Sequence, residues 1–378
     1  MKIGIYSDVH ISRNNGIMPL YLNKNENGYT TRLDFCRKAM GYVYQTFSKE
    51  KVDLIINCGD TFNSHTVTSD ELKCFSEIYG SKMYGSESQR PKEFIIVGNH
   101  DKFNDSFSSI DLLNCFKTFN IQVVKDYEWD SWEGVDIYLI GYFKTEEFNQ
   151  KIQEMLEKYP RQHDKAILFM HGDINGSTLF GSKKITNQID NEMLYDKFDI
   201  VVNGHIHCAE MINKKDNKLI MNIGSLTTHS FADSNNHVGS FYVYDTDTDI
   251  WVRHINPYQI LFRYYIIENQ KDLEELKDKL LMLENDNLSV ILKIKCKNKF
   301  KDTIEQYLDK HCANIVSCKY ILMYDTESNS DENNSSTETI NTQTNINISG
   351  NIKNEFISFL KTSGELKHDM QDYENLIL

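Results

Sequence analysis

The sequence lacks an excess of basic residues. Its 55 Asp and Glu outnumber 41 Lys and Arg, giving a formal net charge of −14. That argues against a broad positive surface coating a nucleic-acid backbone; contact with such a polyanion must be local, metal-assisted or shared with a partner. A membrane span is also missing, because no uninterrupted apolar stretch approaches the roughly 20 residues that cross a bilayer. The first residues, MKIGIYSDVH, read directly as a strand, so the expectation is a chain without a signal peptide and a cytoplasmic location. There is no CxxC pair. The eight cysteines (36, 58, 74, 115, 208, 296, 312 and 318) are scattered, several inside apolar runs, as reduced core thiols are. Cys208 alone sits where a soft metal ligand is conceivable, next to His207. No internal repeat is present.

What remains is an ordinary globular composition, 40% hydrophobic and 25% charged, in 378 residues, enough for two or three domains. Apolar runs at 3–6, 53–58, 94–97, 136–143, 166–170, 199–202, 219–223, 240–244 and 250–255 predict strands. The early ones are continuous, as in strands covered on both faces. Between them, 32–49, 69–83 and 146–158 carry helical apolar spacing. Two packed sheets with helices outside, an α/β sandwich over 1–257, are predicted. After Pro257 a β-α-β-α-β pattern predicts a small α+β domain over 258–325. Residues 326–351 are polar and read as a flexible linker. The tail 352–378 begins with one amphipathic helix, apolar at 352, 356, 359 and 360.

Six short stretches end apolar runs with special residues. Asp8-Val9-His10 follows IGIYS, Gly59-Asp60 follows LIINC, and Gly98-Asn99-His100-Asp101 follows FIIV. His171-Gly172-Asp173 follows AILFM, Gly204-His205-Ile206-His207 follows IVVN, and Gly224-Ser225 follows LIMNI. Carboxylates, an amide and imidazoles form the inventory of a two-metal phosphoesterase, with Asp60 the natural bridging carboxylate. Strands ending at a common edge would gather ligands that lie about two hundred residues apart. Of the twelve histidines, five fall in these motifs; His229 stands out among the others because it follows the Gly224-Ser225 turn.

DVH, GD, GNHD, HGD and GHIH resemble the calcineurin-like metallophosphoesterase superfamily over roughly 1–230, and within it the Mre11/SbcD family of double-strand-break nucleases, including bacteriophage recombination endonuclease subunits. GSLTTHSFAD at 224–233 and Arg32-Leu33-Asp34-Phe35 carry the narrower resemblance. It implies one metal on Asp8, His10, Asp60 and His207, and a second on Asp60, Asn99, His171 and His205, with manganese preferred. His100 corresponds to the family's catalytic histidine, and Asp101 is expected to orient it. Asn63 stands where several members have a second histidine, so it keeps a phosphate hydrogen bond but no acid–base function. The resemblance also implies a DNA exo/endonuclease of repair and recombination, a DNA-capping role for 258–325, and docking of a Rad50/SbcC-like SMC ATPase by 352–378. A homodimer through helices 32–49 and 69–83 is implied as well. Thr61-Phe62-Asn63 and GNHD disfavour the phosphoprotein phosphatases, which show Asp-Arg-Gly and GNHE there. The alternatives are a small-molecule or cyclic-nucleotide phosphodiesterase and a protein-binding scaffold with a degenerate site.

Overall fold

The structure is a computed structural model that describes residues 1–13, 28–80, 91–115, 120–179, 183–186, 188–215, 218–231, 237–285, 289–312, 317–325 and 342–347. The chain divides into two units, one ending at Gln259 and the next beginning at Ile260.

In the first unit, β1 (Lys2–Tyr6), β2 (Leu54–Asn57), β3 (Lys92–Ile96) and β4 (Ile121–Val124) run parallel, linked by α1 (Thr31–Glu50) and α2 (Ser69–Gly80). The second sheet takes β5 (Tyr127–Trp132), β6 (Val135–Ile140), β7 (Lys165–Met170), β10 (Ile200–Asn203), β11 (Glu210–Lys215) and β12 (Lys218–Asn222). Helix α3 (Thr145–Lys158) joins β6 to β7. The pair β8 (Thr178–Leu179) and β9 (Lys183–Lys184) and helix α4 (Asn191–Lys197) lie between β7 and β10. The chain then returns to the first sheet as the antiparallel β13 (Ser240–Asp245) and β14 (Ile250–Ile255). The sheet orders are β14-β13-β1-β2-β3-β4 and β11-β12-β10-β7-β6-β5.

Side-chain alternation makes each central strand serve two cores. Leu54 and Ile56 of β2 join Ile3, Ile5, Phe94, Ile137, Phe169 and Val202 in the core between the sheets. Ile55 points the other way, to Leu33, Met40, Phe47 and Phe75 of α1 and α2. In the second sheet, Tyr138 and Ile140 face Phe148, Ile152 and Met155 of α3. These four layers are the predicted sandwich. The strands without a sequence prediction are β4, β5 and β11, at the sheet edges, and the two-residue β8 and β9. An edge strand is half-covered and needs no continuous apolar run.

The second unit pairs β15 (Ile260–Ile267), β16 (Ser289–Cys296) and β17 (Ser317–Asp325) in parallel. Val290, Leu292 and Ile294 lie in one core with Leu273, Leu276 and Leu280 of α5 (Gln270–Asn285) and Ile304 and Leu308 of α6 (Lys301–His311). The span read as a linker contains β18 (Thr342–Asn347), antiparallel to β17, with Ile321 opposite Ile346. Backbone pairing at a sheet edge can recruit a polar segment that has no apolar pattern of its own. The rest of 326–351 and all of 352–378 lie outside the described residues. Among the described residues, no helix is long and apolar enough to cross a membrane.

Candidate metal centre

Every expected ligand follows the carboxyl end of a parallel strand: β1 for Asp8 and His10, β2 for Asp60, β3 for Asn99, β7 for His171, β10 for His205 and His207. Backbone bonding continues past the strands. The Asp8 N–H donates to Gly59 O at 2.9 Å, the His10 N–H to Asp60 O at 3.1 Å and the Ile11 N–H to Thr61 O at 2.8 Å. The Gly204 N–H donates to Met170 O at 3.0 Å. Glycine 204 also lets the two sheets approach, because a Cβ there would lie 2.3 Å from Cys58 O and from Ser7 Oγ.

The turns are strained. Asp8, His10, Asp60 and His205 have φ of 52°, 46°, 51° and 65°, four of the seven non-glycine residues with positive φ among the described residues. Each such conformation costs on the order of 1–3 kcal/mol and persists only where its surroundings impose it.

The donor atoms then converge. His10 Nε2 lies 3.6 Å from Asp8 Oδ1 and 3.7 Å from Asp60 Oδ2, and His207 Nε2 lies 3.9 Å from Asp8 Oδ1. His171 Nε2 lies 3.3 Å from Asp60 Oδ2, and Asn99 Oδ1 receives His171 Nε2 at 3.0 Å and His205 Nδ1 at 2.9 Å. Asp60 Oδ2 therefore lies against both His10 and His171. Three sets place a ligand atom of each member within 4.8 Å of the others: His10 with Asp60 and His100, Asp60 with His171 and His205, and His10 with His207 and His229.

A cation fits this chemistry. Asp8 Oδ1 and both ring nitrogens of His10 are buried without a hydrogen-bond partner. Buried polar atoms are normally paired, so these orphans call for a ligand. Burial opposes charge on Asp60, but His171, His10 and His100 outweigh it and hold the carboxyl below its usual range. Burial likewise opposes charge on His171, yet Asp60 and Asp8 push it up to about 9. A proton there balances the carboxylates as a divalent ion would. His229 has both nitrogens engaged: the Arg32 guanidinium donates to Nδ1 at 3.0 Å, so Nε2 carries the hydrogen aimed at Asp8 O, 3.3 Å away. It holds the Asp8 turn rather than offering a lone pair. Cys208 belongs to none of the donor groups found among the described residues.

The family model for calcineurin-like phosphoesterases matches residues 1–209, more than half of the chain. The chain belongs to the calcineurin-like phosphoesterase family. Membership makes it a metal-dependent phosphoester hydrolase with divalent cations as cofactors. No curated protein matches it significantly. Several solved structures are similar to part of the chain at low identity. The anchor in the inner membrane complex of Plasmodium is 14% identical, with 68% of this chain and 84% of that one covered and a TM-score of 0.41. A dimetal phosphatase from Danio rerio is 10% identical, covering 68% and 95%, with a TM-score of 0.38. A hypothetical protein from Thermus thermophilus is 9% identical, covering 68% and 98%, with a TM-score of 0.38.

Within this phosphoesterase site, two expected residues take different places. Asp101 does not orient His100. Its Oδ1 accepts the Phe62 N–H at 2.8 Å, and its Oδ2 accepts those of Thr61 and Gly98, each at 3.1 Å. It ties the Asp60 loop to the Asn99 loop from beneath. Burial and the Asp60 charge push it up to about 7, against those three donors. For Asn63 the observed contact is made by the backbone: its carbonyl lies 2.9 Å from His100 Nδ1. A carbonyl only accepts, so Nδ1 carries the hydrogen and Nε2 is the ring atom facing away from that bond. The His100 N–H also donates to Asp60 Oδ1 at 2.9 Å.

Other supporting residues had no role assigned from sequence. Asp173 Oδ1 lies 3.3 Å from His205 Nε2, turning Nδ1 toward Asn99. Cys58 O takes His171 Nδ1 at 2.7 Å and turns Nε2 toward Asp60. Such outer partners fix the tautomer and orientation of metal-binding imidazoles. The HGD motif displayed Asp173; nothing in the sequence displayed a backbone carbonyl. Arg32, buried at the start of α1, bonds Thr228 O at 3.2 Å, Val9 O at 3.3 Å and Thr227 Oγ1 at 2.9 Å, stitching the 224–229 turn to the first metal loop.

Proposed function

We propose that this phosphoesterase is a DNA nuclease that cleaves phosphodiester bonds with two manganese ions, as the hydrolytic subunit of a Rad50/SbcC-like SMC ATPase complex. The observation that carries the hydrolytic reading is the Asp60 carboxylate shared by two donor groups beneath the exposed His100 ring. Two divalent cations held there supply Lewis acidity toward the phosphate and a nucleophile at neutral pH. Asp60 is oriented for both by the His100 N–H, and Asp173 and Cys58 O keep His205 and His171 aimed inward. In this reading His100 Nε2, the ring atom not held by Asn63 O, hands a proton to the leaving oxygen. General acid–base help of this kind is worth roughly 10²–10⁴-fold. The imidazole-rich set favours manganese over magnesium.

DNA as substrate is supported by the GNHD and GSLTTHSFAD resemblances and by the second folded unit, which a lone small-molecule esterase does not require. The net charge of −14 leaves DNA binding to local contacts and to the cations. The ATPase partner rests on the apolar spacing of Ile352, Phe356, Phe359 and Leu360, and a homodimer through α1 and α2 on the family resemblance. The test is a manganese-dependent assay on linear and hairpin DNA beside cyclic nucleotides. Cleaved DNA, with co-purification of the ATPase lost on deleting 352–378, supports the reading. Turnover of cyclic nucleotides with intact DNA overturns it.

A further inference from the structure

A groove of about 480 Å³ opens beside the second donor group, lined by Tyr142, Phe143, Lys144, Thr145, Glu146, Asp173 and Gln188. That volume falls within the roughly 300–1,000 Å³ of small-ligand sites. Two of its lining residues, Tyr142 and Asp173, also border the second donor group. The Tyr142 ring centroid lies 6.2 Å from that of His171 and 5.9 Å from that of His205, and Asp173 is the carboxylate on His205 Nε2. The wall is fixed to the Asn99 loop. The Tyr142 N–H donates to Val97 O at 2.9 Å, and Lys102 Nζ donates to Tyr142 O at 3.4 Å.

We propose that this groove binds the nucleobase of a nucleotide bearing the scissile phosphate, stacked on the Tyr142 ring, an inference that rests on the nuclease reading. Position comes first: a phosphate between the donor groups has a substituent about one nucleotide long within reach of Tyr142. Charge comes second. Glu146 and Asp173 set two carboxylates against the single Lys144, so the groove repels a second phosphate and suits a neutral planar ring. Hydrogen bonding comes third. The Thr145 hydroxyl donates to Gln188 Oε1, leaving the Gln188 amide as a donor for a base edge. An aromatic face with few polar groups accepts any base, so the binding is tolerant of sequence.

The test crosses an enzyme variant with a substrate variant. Wild type and Tyr142→Ala are assayed with manganese on single-stranded oligonucleotides that carry either a base or an abasic site at the cleaved nucleotide. Tyr142→Ala should raise KM on the intact strand roughly 5- to 150-fold, the range for one base–aromatic stack. On the abasic strand, which offers no base to stack, the same change should raise KM by less than about twofold, and Tyr142→Trp should restore KM on the intact strand. Equal losses on both strands overturn the groove while leaving the nuclease reading intact. Absence of cleavage of any oligonucleotide by the wild-type protein, with hydrolysis of bis(p-nitrophenyl) phosphate retained, overturns the nuclease reading and this inference with it.

Discussion

Replacing Gly98 by alanine tests whether backbone proximity builds the metal centre. A Cβ at 98 would lie 2.1 Å from Asp60 Oδ1 and 2.4 Å from Asp60 N. Ordinary contacts are nearer 3.5 Å, so the two loops must separate by roughly 1 Å. Rotating the Asp60 side chain relieves only part of this, because the backbone nitrogen is also struck. The displacement passes to His10, whose N–H is bonded to Asp60 O at 3.1 Å. Overpacking of this kind costs about 1–3 kcal/mol, which in a unit of this size lowers Tm by about 2–4 °C per kcal/mol. The functional cost is larger. Metal–ligand distances tolerate about 0.2 Å, and a 1 Å misplacement can cost about 10²-fold in rate. Calorimetric manganese titration and turnover of bis(p-nitrophenyl) phosphate should both show the loss. Gly172→Ala is the control: its Cβ would meet only side-chain termini, Ile189 Cδ1 at 3.3 Å and Met170 Cε at 3.5 Å. Wild-type manganese affinity and turnover in Gly98→Ala, or equal damage from both variants, would refute the reasoning.

Asp60→Asn should lose cation binding and turnover together, whereas His100→Ala should keep two bound ions and lose roughly 10²–10⁴-fold in turnover; loss of ions from the latter would make His100 a ligand. Chelation should lower Tm, and manganese at 100 times its Kd should restore about 2.7 kcal/mol per site, read by thermal unfolding. Tyr6→Phe removes donation to the buried Glu93 at 2.7 Å and the contact with Tyr79 Oη at 3.0 Å; a hydrogen bond to a charged group is worth about 1.5–3 kcal/mol, so denaturant unfolding should shift by that amount. Buried Asp136 accepts the Gln162 and His163 N–H groups at 2.8 and 2.9 Å and His163 Nδ1 at 3.0 Å. Burial works to raise its pKa, but these bonds outweigh it and hold the carboxyl down. Its stabilisation is therefore full above the ordinary carboxylate value near 4 and lost as pH falls through the lower folded value. The stability gap between wild type and Asp136→Asn should close in acid; a gap that widens there would refute the assignment.

The sequence by itself determined the central strands and long helices, because each must hide apolar side chains on one or two faces. LIIN at 54–57 and the 32–49 spacing needed no tertiary information. It also named the seven ligand candidates, since strand-end motifs are contiguous and carry metal-binding chemistry. The edge strands β4, β5 and β11 escaped because a half-covered strand has no obligatory pattern, and β18 because its pairing is made by the backbone. Only tertiary structure decided that the ligands meet, through ladders extended beyond β1, β2 and β10 and through positive φ at four of them. It alone turned Asp101 from His100 toward three backbone N–H groups, and it put Asn63 O, Cys58 O and Asp173 behind His100, His171 and His205. A side chain's chemical type is written in the sequence, whereas its hydrogen-bond partner is chosen by whatever the folded chain brings within about 3 Å.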